Sequence, residues 1–540
     1  MSARRGVALV ALFALTTACV KVEQHAGGST TTAAPGGTPV AGTGAAFALG
    51  VEYMELGLGG TYAATGVRWA KTRGEAFAWG QVEPAAPVGG VHAYDWSLTD
   101  RLIDEYQQAG ITHIQSYLES KSPWGSASAH DVMPKPDLLA DYAAFVGALV
   151  ERYDGDGSSD MPGLVAPVQH WVIGSEWTGF WPSGSAEDYL RLLAAAAGAA
   201  RAAYPEVQIG SIPFMLVDVF SGNAPSDAEV AARLKDPPPA FRNSTVGMLQ
   251  ILDRPDLFDY VDVHSLGDYT EIAPTFAWLR ARMAERGYSK PIWIDDAFPV
   301  GFLANLRIVP DGGWPSIHPV TDATHDQVLA LLVAVARGEE PAASEAVAWI
   351  RALAASEMVK KVATAVGEGA AGIEIGNLED WMVDTGPVVR EVTVNLIGAA
   401  GMFGMIDVTH PHGYGIDAVR APGAARPAYL NLALLTALIG DGHFDSVEAV
   451  GGLTGARGYR FSRGGDVTWV LWNEAGLVLP GQPDPSVPFE LTLAPGATHV
   501  VVTTVATTTL GPSTVEQAAS TTGIVHLTLS TVPVIVRESA

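Results

Sequence analysis

From about residue 46 onward the chain alternates: short apolar runs of strand character are separated by amphipathic stretches of helical period. The runs are "FALGVEYM", "GVRWAK", "ITHIQSYL", "HWVIGSE", "VQIGSIP", "YVDVHSL", "PIWIDD" and "GIEIGNL". One intervening stretch, "SLTDRLIDEYQQAG" at 97–110, gathers Leu98, Leu102, Ile103 and Tyr106 on one face, with Ser97 and Asp100 spaced for an N-terminal cap. Others are "DLLADYAAFVGALVERY", "SAEDYLRLLAAAAGAARAAYP", "TFAWLRARMAERG" and "SEMVKKVATAVGEG". Eight strands separated by helices fit a (β/α)8 barrel, the α/β architecture in which every strand is followed by a crossover helix. A doubly wound open sheet is the competing arrangement, but no glycine-rich phosphate turn follows the first strand.

The segment "RPAYLNLALLTALIG" reads as the last barrel helix. Beyond it come short alternating runs divided by turn residues: "GYRFSRG", "VTWVLWN", "FELTLAP", "HVVVTTV", "IVHLTLS" and "VPVIVRE". That texture predicts a small antiparallel β-sandwich over 441–540, after a barrel over 46–440. It reads as a structural cap on the barrel, with a carbohydrate-binding module as the alternative.

Ahead of the barrel, Arg4 and Arg5 precede "GVALVALFAL", and "TTAC" ends at Cys19, the one cysteine of the chain. This is the pattern of a signal peptide over 1–19, its apolar stretch too short to span a membrane. Cys19 stands where a bacterial lipoprotein carries its lipidated cysteine, although Thr16 occupies a position that usually holds Leu. A plainly secreted protein is the alternative. Residues 20–45, rich in Gly, Thr, Ala and Pro, read as a flexible tether. An exported protein without a second cysteine has no internal disulfide. With 32 Lys+Arg against 58 Asp+Glu, the net charge of −26 repels phosphate backbones, which argues against nucleic acid as a partner.

A barrel of this kind works at the C-terminal ends of its strands. The polar residues there are Arg73 after the second strand, Glu119 and Trp124 after the third, and Ser175 and Glu176 after the fourth. The sixth gives His264, Asp268 and Tyr269; the seventh gives Asp295 and Asp296; the eighth gives Glu374, Asn377, Glu379, Asp380 and Trp381. Carboxylates among aromatics suit a sugar, whose hydroxyls need acceptors and whose ring face needs an indole. Two carboxylates on separate strands are also what glycosidic cleavage requires. No metal site is read: the 13 histidines show no HExxH spacing, and "HPH" at 410–412 reads as loop decoration. No cofactor is called for.

The stretch "GVRWAKTRGEAFAWGQVEP…YDWSLTDRLIDEYQQAGI" resembles the strand-two region of clan A glycoside hydrolases, notably the β-galactosidase and β-xylosidase families. "WVIGSEW" resembles their strand four, "FDYVDVHSLGDY" their strand six, "KPIWIDDAF" their strand seven, and "GIEIGNLEDW" with "GMID…RPAY" their strand eight and final helix. The ending "TLSTVPVIV" is similar to the last strand of their small β-domain, so the resemblance runs in order from 46 to 540. It implies Glu176 as general acid/base and Asp296 as nucleophile of a retaining hydrolase acting on a β-linked sugar. From their places at the strand ends, Arg73, Trp124, Ser175, Trp177, His264, Tyr269 and Trp381 are the expected substrate contacts, with Arg73 keeping the nucleophile ionised by charge proximity. Trp177 and Trp181 either line the cleft or pack a loop.

Two positions depart from the family. Ser175 stands where the clan has Asn, and Asp296 where it has Glu. Aspartate is one methylene shorter, which withdraws the oxygen by roughly 1–1.5 Å. Retention wants carboxyl groups about 5–5.5 Å apart and inversion about 6.5–9.5 Å, so the change weakens attack, favours water, or is absorbed by the backbone. Asp295 and Glu374 are the reserve candidates. The rival expectation is a catalytically weakened barrel that binds glycans at the cell surface; transglycosylation on the same carboxylates is a third. Substrate choice rests on the loops 214–247, 299–340 and 382–425.

Overall fold

Each apolar run becomes a parallel strand with little or no exposed surface. The strands are β1 Ala48–Val51, β2 Trp69–Lys71, β3 His113–Leu118, β4 His170–Ile173, β5 Gln208–Gly210, β6 Phe214–Met215, β7 Val261–Ser265, β8 Ile292–Ala297 and β9 Gly372–Ile375. They pair in the order β5-β4-β3-β2-β1-β9-β8-β7-β6. The fifth run supplies β5 and leads directly into β6, and the two lie at opposite ends of that order. Gly210 bridges Tyr260 in parallel, and the Ser211 amide donates to the Tyr260 carbonyl at 3.1 Å, so the ring closes through this one split pass. The fold is therefore a (β/α)8 barrel. This computed structural model describes residues 47–176, 185–220, 222, 226–235, 244–303, 317–380, 401–440, 442–450 and 455–539. The expected signal segment, the tether, Cys19, Trp177, Trp181 and Trp381 lie outside those residues. Among the described residues no helix is long and apolar enough to cross a membrane.

Period-two alternation sorts each strand into an outer row against the helices and an inner row. The inner row begins with an aromatic floor. Trp69 stacks on His113 at 4.6 Å and meets Trp293 at 5.0 Å, and His170 lies 5.4 Å from Trp293. Val172, Tyr260 and Ala48 fill the remaining space. Gly372 is required here, because a Cβ on it would come within 2.3 Å of the Trp293 indole.

The helices follow the sequence pattern with three corrections. Helix Ser97–Gln108 buries Leu98, Leu102, Ile103 and Tyr106 as expected, but Ser97 is its first helical residue. The Asp95 carboxylate accepts from the Ser97 amide at 3.0 Å, while Asp100 instead pairs with Arg152 at 2.6 Å. The stretch 299–340 is not all loop: it holds helix Asp322–Arg337, ended by Gly338 at φ +66°. Helix Ala342–Gly367 begins fourteen residues before the "SEMVKK" pattern, on an alanine-rich turn whose only start signal is Pro341. Helix Ala186–Ala203 begins where expected, because Ser185 and Asp188 close a reciprocal capping box.

Beyond helix Pro427–Ile439 the chain forms a six-stranded antiparallel sheet and a two-stranded one, Val487–Thr492 with Ile524–Leu529. Leu471, Val500 and Val536 of the larger sheet pack on Phe489, Leu491 and Val525 of the smaller. The other face of the larger sheet, through Tyr459, Phe461, Val470 and Trp472, joins the core of the barrel helices. Asn431 fixes that contact: its amide donates to Ala355 O and Ala506 O, and its oxygen accepts from the Ala506 amide at 2.7 Å. This β-domain is thus welded to the barrel by apolar area and buried hydrogen bonds.

Two glycines predict opposite outcomes. Gly372→Ala forces a methyl into the aromatic floor and should lower stability by about 1–3 kcal/mol. Gly198→Ala, in an exposed helical position with nothing within 4 Å of the new methyl, should raise it by about 0.5–1 kcal/mol. Urea unfolding of both variants checks the pair.

Candidate active site

β4 stops at Ile173, and the chain then turns through Gly174 at φ +85° and Glu176 at φ +40°. A left-handed glutamate is strained by roughly 1–3 kcal/mol, a cost that persists where the surroundings over-determine the position. Here the His264 imidazole at the end of β7 does so, with Nδ1 3.0 Å from Glu176 Oε1.

Across the barrel, β8 carries a bulge. Val263 pairs with Ile294, but His264 pairs with Asp296; Ile294 pairs with Ile373, but Ala297 with Ile375. Both registers place one extra residue, Asp295, in β8. Strict alternation would send Asp295 and Asp296 to opposite faces. With the insertion both carboxylates reach His264, Asp295 at 3.1 Å from Nε2 and Asp296 at 3.7 Å from Nδ1. One oxygen of Glu176, one of Asp296 and a nitrogen of His264 all lie within 4.8 Å of one another.

Below this triad sits Lys71, fully buried on β2. Its ammonium donates to Glu52 and to the Asp295 carbonyl at 2.5 Å, lies 3.9 Å from the Asp295 carboxylate and 4.0 Å from Asp296, and stands 4.3 Å over the Tyr117 ring. Burial opposes its charge, but Asp295, Glu52 and Asp296 push its pKa upward and keep it protonated. Burial likewise opposes charge on His264, and Asp295 and Asp296 outweigh it, lifting the imidazole to about 10. For Asp295 burial is overcome by Lys71 and His264, which hold the carboxyl down to about 2. Burial wins at Glu52, Asp262 and Glu374, all driven well above the usual carboxylate range. Asp296 is raised as well, by burial and by the charges of Glu176 and Asp295, against the pull of Lys71 and His264. Two cations, Lys71 and His264, thus face Asp295 and Asp296.

Glu176 and Asp296 also form, with His264, a set that could in principle grip a cation. His264 argues against it. Its Nδ1 faces Glu176 and Asp296, and its Nε2 faces Asp295 and the Tyr117 hydroxyl at 2.8 Å, so both nitrogens are engaged as donors.

Other expected site residues are placed as follows. Arg73, 23% exposed at its side chain, pairs with Glu55 at 3.0 Å, and the cation beside Asp296 is Lys71. The expected Arg73–nucleophile pairing is corrected on simple geometry: Lys71 is the inner residue of β2, and Arg73 lies past its end. Arg420 joins this rim through Glu55 at 2.6 Å and Glu379 at 3.4 Å, and His410 meets Glu379 at 3.2 Å, so the "HPH" loop contributes more than decoration. Ser175 is buried next to Glu176. Trp124 is held edge-on against Trp79 at 4.4 Å, its indole donating to Glu83 O. Tyr269 is not gathered with the triad; it lies edge-on to Trp472 of the β-domain, 5.3 Å away, and its hydroxyl accepts from that indole. Glu374 is fully buried with both oxygens lacking hydrogen-bond partners, so it is a floor acid and not a cleft one. Lys71 and Tyr117 were passed over in the sequence, although both sit on inner-row positions, where a lysine between apolar neighbours is a signal in itself.

No protein-family model matches the chain, and no curated protein sequence matches it. Solved structures do. A monomeric β-xylosidase from Caulobacter crescentus CB15 superposes with a TM-score of 0.53 at 14% identity, over 92% of this chain and 98% of that one. A glucosidase from Croceicoccus marinus gives a TM-score of 0.51 at 12% identity, over 93% and 98%. BuGH86wt, solved in complex with neoagarooctaose, gives 0.50 at 11% identity, over 88% and 70%. At such identities what this chain shares with them is the fold, along nearly its whole described length.

Proposed function

We propose that this protein is a glycoside hydrolase that cleaves a β-linked O-glycosidic bond with retention, Glu176 serving as acid/base and Asp296 as nucleophile. The observation that carries the reading is the pair of carboxylates on separate strands with oxygens within 4.8 Å, bridged by His264. That spacing suits direct attack on the anomeric carbon better than the wider separation that an inverting enzyme needs for its water. The fold shared with a xylosidase and a glucosidase supports the same substrate class.

Glu176, with 19% of its side chain exposed, stands nearer the opening, and Asp296, at 5%, lies deeper. His264 donates to Glu176 Oε1, which leaves Oε2 to carry the proton for the departing oxygen. Lys71 and His264, both within 4.0 Å of Asp296, supply the positive field that an attacking carboxylate needs in a buried site. Attack converts Asp296 to a neutral glycosyl ester. Glu176, now deprotonated, then takes a proton from water as that water releases the sugar. We further infer export by the N-terminal segment and lipid attachment at Cys19, which would hold the barrel on the outer side of a membrane through the 20–45 tether.

Aryl β-glycosides test the roles. Glu176→Ala should still form the glycosyl-enzyme from a dinitrophenyl glycoside, then stall about 10²–10⁴-fold, with azide restoring turnover as the glycosyl azide. Wild-type turnover by that variant overturns the assignment. Asp296→Glu should lose activity, because the bulge already brings the shorter acid into range; a gain from nothing would favour a degenerate glycan-binding barrel.

The pH profile has a defined sign. Asp296 must be ionised to attack and its pKa lies above that of an ordinary aspartate, so the acidic limb of kcat/KM should fall above pH 4. Removing a neighbouring cation disfavours the ionised form, so His264→Gln should move that limb to higher pH. A limb unmoved in His264→Gln would show that another group titrates there.

A further inference from the structure

At the end of the barrel opposite Glu176, the loop from helix Leu139–Arg152 to β4 reads Asp154-Gly155-Asp156-Gly157-Ser158-Ser159-Asp160. Asp154, Asp156 and Asp160 each offer one carboxylate oxygen to a common space in which all three lie within 4.8 Å of one another. Backbone amides hold the carboxylates in place. Asp154 Oδ1 accepts from Asp156 at 3.1 Å, and Asp156 Oδ1 from Ser158 at 2.7 Å. Asp160 accepts from Gly155 at 3.0 Å and from Gly157 at 2.7 Å. These bonds stay within the loop and explain its shape, not its composition.

What they leave unexplained is Asp154 Oδ2. Asp154 is 5% exposed, and this oxygen is buried with no hydrogen-bond partner at all. A buried carboxylate oxygen without a donor is costly unless something positive satisfies it. The charges around it are of its own sign, those of Asp156, Glu151 and Asp160. The nearby guanidinium of Arg152 is committed elsewhere, to Asp100 at 2.6 Å and to the carbonyls of Ser159 and Asp160.

We propose that this loop binds a calcium ion through Asp154, Asp156 and Asp160. The donors are all oxygen, which excludes the nitrogen and sulfur preference of zinc and copper. Short-spaced carboxylates on an irregular loop, with coordination left over for carbonyls and water, suit the large and flexible shell of calcium better than the strict octahedron of magnesium. The ion would tie together the chain entering β4, the strand that ends at Glu176. Its place at the N-terminal end of the barrel makes its effect one on stability.

The full chain, freed of metal by chelation, should bind one equivalent of CaCl₂ in calorimetry. Saturation at about a hundred times Kd should raise Tm by about 2–3 °C. Asp156→Asn changes an exposed side chain and should fold normally by circular dichroism, yet lose both the heat and the shift; Asp154→Asn should do the same. No calcium response in the wild type overturns the proposal. So does an equal response in Asp156→Asn, which would put the ion elsewhere, or an equal shift with MgCl₂ alone.

Discussion

The buried ammonium of Lys71 is the constraint around which the barrel interior is arranged. Moving such an ion out of water costs several kcal/mol. A single unit charge 4 Å away returns about 4 kcal/mol at an effective dielectric near 20. One partner is therefore barely enough, and Lys71 has Glu52, Asp295 and Asp296 within 4.0 Å. The reverse holds for the acids. Asp295 has an ionised carboxyl at zero exposure only because Lys71 and His264 flank it. Glu374, buried and with no hydrogen-bond partner on either oxygen, is pushed well above the usual carboxylate range. The interior is a set of mutually dependent charges, in which two cations decide which carboxyls ionise.

Much of this was legible in the sequence and some was not, for identifiable reasons. The barrel was readable because its strands are short, wholly buried runs between cap and turn residues, a pattern set by local chemistry. Glu176 was readable for the same reason: a lone acid at the end of such a run. Lys71 also lies on an inner-row position of β2, yet lysine is so commonly a surface residue that its type alone points outward. The bulge at Asp295 was out of reach, because register is a property of two strands and "IWIDD" looks the same with or without an insertion. Helix Asp322–Arg337 lies within a stretch whose only clear local signal is Gly338 at its end. Tyr269 sits close in sequence to His264 but packs on Trp472, a contact more than two hundred residues away.

On the proposed reading, the departure at Asp296 and the insertion at Asp295 belong together. A one-methylene loss retracts the carboxylate, and an extra strand residue changes how far and in which direction the next side chain projects. The result is an aspartate that meets His264 and Lys71 and stands within 4.8 Å of Glu176. Asp295 then has a second role besides occupying the bulge. By standing against His264 Nε2 it keeps the imidazole charged, and that charge in turn acts on both Asp296 and Glu176. Replacing Asp295 with a neutral isostere would thus reach the chemistry without touching substrate. The proton on His264 would be held less tightly, the field at Asp296 would weaken, and the attacking carboxylate would be harder to ionise, although every residue that meets the sugar remained in place.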